Sequence, residues 1–398
     1  MTRIVLFTGK GGVGKTTVAA ATAARAAARG LRVLVTSTDP AHSLSDAFDV
    51  PIGDEPTAIQ ANLFAQQIDA QQRLERHWSD VRDYLVEVLS FGGAVAIQAE
   101  ELVLLPGLDE VFALIDLRRQ VDAGAWDLIV VDCAPTAETL RLLALPDAMR
   151  WYVERMLRPG RRVARAVRPV MQRVGGMPVP QDEVFGAVER IHDDLAAVHK
   201  LLQDSSRSSV RLVMNAERMV INEAMRTATS LALFGYAVDA VVVNRLLPDD
   251  IIDPWLDKWK LRQTEHLATV HDAFGPTPVL TAPLFDDELV GADGLAALAQ
   301  HVYGDGDEVS VLHDGAPLSV ERSDDGYLVH LHLPFATKDD LDLRRRGQDL
   351  HILVGGVKRV LPLPAALQRC EVAGARLRDG VLEIRFRAAM AANAGGAR

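Results

Sequence analysis

The sequence predicts an α/β protein with a mostly parallel sheet flanked by helices, followed by a small all-β sandwich. Three observations carry this. Up to about residue 300, short apolar runs alternate with helical patterns, as they do when parallel strands are covered on both faces. Gly304-Asp305-Gly306-Asp307 then interrupts the chain. Beyond it the helical periodicity gives way to alternating apolar and polar residues separated by turn residues, the pattern of short antiparallel strands.

The first part contains five strong strand candidates: Ile4–Phe7, Val33–Thr36, Leu128–Asp132, Val210–Met214 and Ala240–Asn244. Amphipathic spacing predicts helices over Ala61–Leu89, Val111–Val121 and Asp182–Leu202. The expected organisation is a domain over 1–303 with a helical insert at about 149–202, a linker at 304–310, a sandwich at 311–388 and a disordered tail at 389–398. The chain has 398 residues, which suits two domains.

Composition excludes several classes. A net charge of −11 argues against a general nucleic-acid binder. Cys133 and Cys370 are the two cysteines, too few for a disulfide scaffold and suited to a reducing compartment. Met1 leads straight into a strand without the pattern of a signal peptide, and no window has the apolar length of a membrane span. The expectation is a soluble, cytoplasmic protein.

The first strand is followed by Gly9-Lys10-Gly11-Gly12-Val13-Gly14-Lys15-Thr16-Thr17, which fits G-x-x-x-x-G-K-[ST]. Successive backbone N–H groups of such a loop turn toward one anion, and the following helix adds its positive N-terminal end. Lys15 then reaches the β- and γ-phosphates, and the Thr16 hydroxyl can ligate Mg²⁺. This makes the first part a P-loop nucleotide-binding domain for ATP and Mg²⁺. Two aspartates follow strands farther on: Asp39 in STDPAHSLSDAF and Asp132 in LIVVDCAPTAETLRLLALP. At the carboxyl ends of parallel strands they face the nucleotide crevice. Asp39 can activate the attacking water, and Asp132 can hold Mg²⁺ through water. Pro135-Thr136 forms a turn that can sense the γ-phosphate.

Lys10 stands too early in the loop to share the work of Lys15. GKGGVGKTT resembles the deviant phosphate loop of the class that includes nitrogenase iron protein, the ParA/MinD partition ATPases and the ArsA-type ATPases. DPAHSLSDAF, DCAPTAETLRLL, ELVLLPGLDEVFAL, VVVNRLLPD and PLFDDELVG, in that order, resemble the ArsA family: arsenite-pump ATPases and the eukaryotic ATPase that targets tail-anchored membrane proteins. The resemblance implies an ATP-sandwiching homodimer in which Lys10 acts across the interface on the partner's nucleotide. It also implies that Asn244 and the loop at Pro283 contact adenine. The sequence departs from the family at Ser43, where eukaryotic targeting factors carry Asn, and at Ala137 and Glu138, where Gly-His is usual. Cys133 replaces a common Thr.

The cysteines bear on the choice between branches. Arsenite binding requires clustered thiolates, whereas Cys133 and Cys370 lie far apart and in different expected domains. The Fe–S bridge of one related branch takes two thiolates from each chain and the zinc clasp of another a Cys-x-x-Cys pair, whereas the two cysteines here stand far apart in sequence. Residues 149–180 are dense in Arg, Met and Val. In the targeting branch such a helical insert helps form a groove for a client transmembrane helix; an ordinary amphipathic helix pair or a membrane-surface contact would have the same composition. ARLRDGVLEIRF near the C-terminus resembles the α-crystallin pattern of small heat-shock proteins, although the Gly after Leu-Pro and an apolar I-x-I-type tail are missing. The function expected is an ATP-hydrolysing homodimer serving as a chaperone or targeting factor for hydrophobic clients, with a possible membrane receptor. The alternatives are an arsenite- or anion-efflux motor subunit and a nucleotide-switched scaffold. Every nucleotide motif precedes Gly291, so removal of 305–398 is expected to leave basal hydrolysis largely intact.

Overall fold

The computed structural model describes residues 1–38, 43–68, 108–134, 136, 139–140, 144–145 and 182–388. Asp39, the segment 149–180 and the tail 389–398 lie outside the described residues.

An eight-stranded sheet forms the first layer. Its strands are β1 (Arg3–Thr8), β2 (Val33–Ser37), β3 (Thr57–Gln60), β4 (Leu63–Gln67), β5 (Leu128–Asp132), β6 (Ser208–Asn215), β7 (Val238–Leu246) and β8 (Val279–Pro283). Their order is β3-β4-β2-β5-β1-β6-β7-β8, and only β3 runs antiparallel to its neighbour. Helices pack on the sheet: α1 (Lys15–Ala28), α2 (Ser43–Phe48), α3 (Leu108–Asp122), α4 (Asp182–Gln203), α5 (Arg218–Phe234), α6 (Leu256–Phe274) and α7 (Gly291–Tyr303). β1, β2 and β5 are buried along their whole length, which explains their unbroken apolar runs. The chain leaves β1 for the β2 side and later returns past β1 to β6. That reversal places a crevice at the carboxyl ends of the central strands, where α/β proteins bind ligands.

The five expected strands are present, each at its position or extended by one or two residues at an end. The expected helix over Ala61–Leu89 is corrected at its start, where Leu63–Gln67 forms β4 in parallel register with β2. Two buried glutamines hide this strand. The Gln66 amide donates to the Asp54 carbonyl at 2.7 Å and to Asp116 at 2.9 Å, while Gln67 accepts from the Ser45 hydroxyl at 2.8 Å. Polar residues thus occupy a strand interior and leave Leu63, Phe64 and Ile68 at helix-like spacing.

The second part is built from β9 (Leu318–Ser323), β10 (Gly326–His332), β11 (Leu341–Arg346), β12 (Asp349–Val354), β13 (Val357–Pro362), a short α8 (Ala365–Gln368), β14 (Cys370–Arg378) and β15 (Val381–Ala388). The strands form antiparallel sheets β14-β15-β10-β9 and β11-β12-β13 around a core that includes Val329, Leu331, Ile352, Leu382, Ile384 and Phe386. Leu233 of α5 is buried in the same core. The Arg359 guanidinium donates to the Leu233 carbonyl, the Thr229 hydroxyl donates to the Pro334 carbonyl, and the Phe274 and Phe335 rings meet edge to face at 5.3 Å. The sandwich therefore shares packing with the helical layer.

The segment after α7 is pinned to the amino ends of β1 and β7. Glu308 is fully buried and accepts from Arg25 at 2.9 Å and Arg29 at 2.8 Å, both on the last stretch of α1 and its cap. Arg211, buried in β6, donates to the carbonyls of Glu308 at 2.8 Å and Ser310 at 3.2 Å and to the Tyr303 phenol at 3.0 Å. It also pairs with buried Asp239 at 3.3 Å, as does Arg3 at 3.1 Å. The Thr22 hydroxyl already donates to the Val18 carbonyl, so the phenol of Tyr303, 2.8 Å away, donates to Thr22. Gly304 to Leu312 is a strap held by charge, each buried ion having a hydrogen-bonded partner.

Candidate nucleotide site

The phosphate loop spans the step from β1 to α1 at the carboxyl edge of the sheet. Gly9 leaves β1 so close to β6 that a Cβ there would strike the Val213 carbonyl. Gly14 takes a left-handed conformation with φ 91° at the helix start, and a Cβ there would strike the Asn244 amide. Both positions need glycine for a stated steric reason. Val13 is buried in the core and anchors the loop, whereas Gly11, Gly12, Gly14, Lys15, Thr16 and Thr17 line an open cavity of about 620 Å³. Ser43 and Asp46 of α2, Asn244 and Arg245 of β7, and Pro283 to Phe285 from the last residue of β8 onward complete much of its wall. Of the expected site residues, Asn244 and Pro283 thus share one cavity with the loop, although they are distant in sequence.

Lys15 is almost fully buried, and its ammonium donates to the Lys10 carbonyl at 3.4 Å. The Thr16 hydroxyl donates to Asp132 Oδ2 at 2.8 Å, and the Ser37 hydroxyl reaches the same oxygen at 3.3 Å. Asp132 is fully buried at the end of β5. A hydroxyl and a buried carboxylate side by side, next to a phosphate-type loop, form the hard oxygen donor set that suits Mg²⁺. These residues fit the cation that the sequence implies.

The ends of β2 and β5 are also tied together. The Thr38 amide donates to the Asp132 carbonyl at 2.9 Å, and the Ala134 amide donates to the Thr38 hydroxyl at 3.1 Å. Thr38, the last described residue before Asp39, thus stands beside Asp132. Burial first, then the neighbouring Asp132 carboxylate, pushes the Cys133 thiol far up, against the pull of Lys15. Cys133 is consequently a neutral core residue, and Cys370 is buried in the other core.

Lys10 is not on the cavity wall. Its ammonium stands 3.8 Å from Glu223 of α5, and both side chains are about one third exposed. Glu223 carries no motif signal. Arg245 was likewise absent from the sequence expectations, yet it lines the cavity and donates to the Gly12 carbonyl at 3.0 Å. The amide of Asn244 donates to the Val13 carbonyl at 3.0 Å and its Oδ1 accepts from the Arg245 amide at 3.0 Å.

Comparison with known proteins gives the family. The profile of the family described as Anion-transporting ATPase matches residues 2–304. The chain belongs to the ArsA ATPase family. A second profile, described as HSP20-like domain found in ArsA, matches residues 324–386. A Chlorobaculum tepidum protein named as an arsenical pump-driving ATPase is 38% identical over 387 residues, covering 96% of both chains. An Aquifex aeolicus protein of the same name is 34% identical over 391 residues, covering 96% of this chain and 99% of its own. The ATPase ASNA1 homolog 1 of Paramecium tetraurelia is 30% identical over 299 residues, covering 72% of this chain and 88% of its own. As a member of this family the chain is an ATPase, with an HSP20-like domain following the ATPase domain. No described helix is long and apolar enough to cross a membrane.

Proposed function

We propose that this chain is a Mg²⁺-dependent, homodimeric ATPase that handles hydrophobic or membrane-protein clients by opening and closing with nucleotide. The observation that carries the client reading is the placement of the two cysteines. Cys133 and Cys370 are buried in two separate cores, so neither supplies a thiolate to a shared site for a soft metalloid. The HSP20-like sandwich, packed onto α5, adds a second support for a chaperone-type role.

In this reading Gly9 to Thr17 cradle the triphosphate and Lys15 neutralises charge between the β- and γ-phosphates. Thr16 and Asp132 would hold Mg²⁺, Asp132 through water, and the ion would supply charge neutralisation at the transferring phosphoryl group. Asp39 orients and deprotonates the attacking water. Lys10 serves the partner's nucleotide, which agrees with its place off its own cavity wall. Asn244 and Pro283 border the space left for the base.

The names of two relatives favour a second reading, a motor subunit of an arsenical pump. One experiment separates them. ATPase rates measured with antimonite should stay at the basal level in wild type and in Cys133→Ser. A peptide of transmembrane length should bind preferentially in one nucleotide state. Antimonite stimulation that disappears on losing Cys133 or Cys370 would establish the pump reading instead.

A further inference from the structure

The sheet register breaks where β7 meets the phosphate loop. Val243 pairs with Thr281 and Leu246 with Pro283, so β7 advances three residues while β8 advances two. The extra residue is a bulge, and such bulges re-aim a side chain. Arg245 sits in it with φ 60°, a left-handed conformation that costs a non-glycine residue energy. Held there, its guanidinium turns back over the loop to the Gly12 carbonyl.

The residue before it does the same job one step along. Asn244 holds the Val13 carbonyl, and its own backbone carbonyl is held by the Asn215 amide at 3.0 Å, from the neighbouring strand. Two consecutive side chains of β7 thus tie down two consecutive carbonyls of the loop. Carbonyl oxygens facing the cavity would repel phosphate. Carbonyls already held by donors are not free to turn toward a bound anion, which leaves that side to the loop's N–H groups.

We propose that Arg245 is a positioning residue, which with Asn244 latches the Gly12 and Val13 carbonyls so that the loop has its anion-binding shape before nucleotide arrives. The strained bulge persists because it aims this guanidinium. This rests on the reading that nucleotide binds in the loop cavity, and the test is arranged to tell the two apart.

The test compares Arg245→Gly, Arg245→Lys and Lys15→Ala by calorimetry with ADP and GDP, alongside thermal melting. Glycine relieves the left-handed backbone, so Arg245→Gly should melt no lower than wild type. It should nevertheless bind ADP roughly tenfold more weakly, about the size of one charged hydrogen bond. GDP binding should weaken by the same factor, because the latch acts on the phosphate loop and not on the base. Arg245→Lys, which can still reach one carbonyl, should recover part of the affinity. ADP affinity unchanged in Arg245→Gly, with Lys15→Ala losing binding, would overturn the latch while leaving the site in place. A changed ADP-to-GDP ratio would overturn it in favour of a base contact. If Lys15→Ala also kept its affinity, the reading of the cavity and the latch would fall together.

Discussion

Glu308→Gln tests whether the strap from Gly304 to Leu312 fastens the two parts of the chain. The substitution keeps the shape of the side chain and removes its charge. In the native chain the fully buried carboxylate accepts from Arg25 and Arg29. The Arg25 share is a charge-assisted hydrogen bond in a mostly buried place, worth about 1.5–3 kcal/mol. Arg29 is half exposed, so solvent takes over most of its role. Against this loss, the variant no longer buries an ionised carboxylate, which offsets part of the cost. Arg25 also keeps the Gln300 side chain and the Gly304 carbonyl as acceptors. The net expectation is a destabilisation of about 2 kcal/mol, which for a unit of this size lowers Tm by roughly 4 °C. Thermal melting followed by circular dichroism measures it, with ATPase rate at 25 °C unchanged because the strap lies at the far end of α1 from the loop. A melting point within 1 °C of wild type, by the same scaling less than about half a kcal/mol, would refute the reasoning.

Other outcomes follow from the same contacts. A chain ending at residue 314 should melt higher than one ending at residue 304, because only the first keeps Glu308 and Ser310 as acceptors for Arg25, Arg29 and Arg211; equal melting points would show that the strap contributes nothing. Leu233→Ala removes a fully buried side chain shared with the sandwich core and should cost about 2–5 kcal/mol by urea unfolding. Asp132→Asn should raise the Mg²⁺ concentration needed for half-maximal hydrolysis, checked by Mg²⁺ titration of phosphate release, without unfolding the chain. Mixing Lys10→Ala with Asp39→Asn chains should give turnover above either variant alone, since one site of the mixed dimer has its own Asp39 and the partner's intact Lys10.

The phosphate loop and the central strands were legible because each is a local signal. A glycine-lysine pattern marks the turn, and strands buried on both faces must be apolar throughout. What escaped was non-local. β4 carries Gln66 and Gln67 inward to partners at Asp54, Asp116 and Ser45, so its polarity imitated a surface. Arg211 interrupts β6 as a charge, and its partners Asp239, Glu308 and Ser310 come from later turns of the chain. The Gly304–Asp307 stretch has the composition of a tether, yet the residues after it are pinned by arginines read from elsewhere. Removal of 305–398, expected to leave basal hydrolysis largely intact, takes Glu308 and Ser310 away from Arg25, Arg29 and Arg211. In the site, Thr16 and Asp132 were readable from motif and strand end. The Arg245 bulge and the Lys10–Glu223 pair depend on register and packing, which no local pattern encodes.

Binding and turnover measured side by side test the hydrolytic site most directly. Calorimetry with Mg-ATP and a phosphate-release assay would be run on wild type, Lys15→Ala and Asp39→Asn. Lys15→Ala should lose nucleotide binding, and Asp39→Asn should bind as wild type does while losing turnover. Normal hydrolysis by Asp39→Asn would contradict the assigned water-activating role, and nucleotide binding retained by Lys15→Ala would contradict the assignment of the cavity itself.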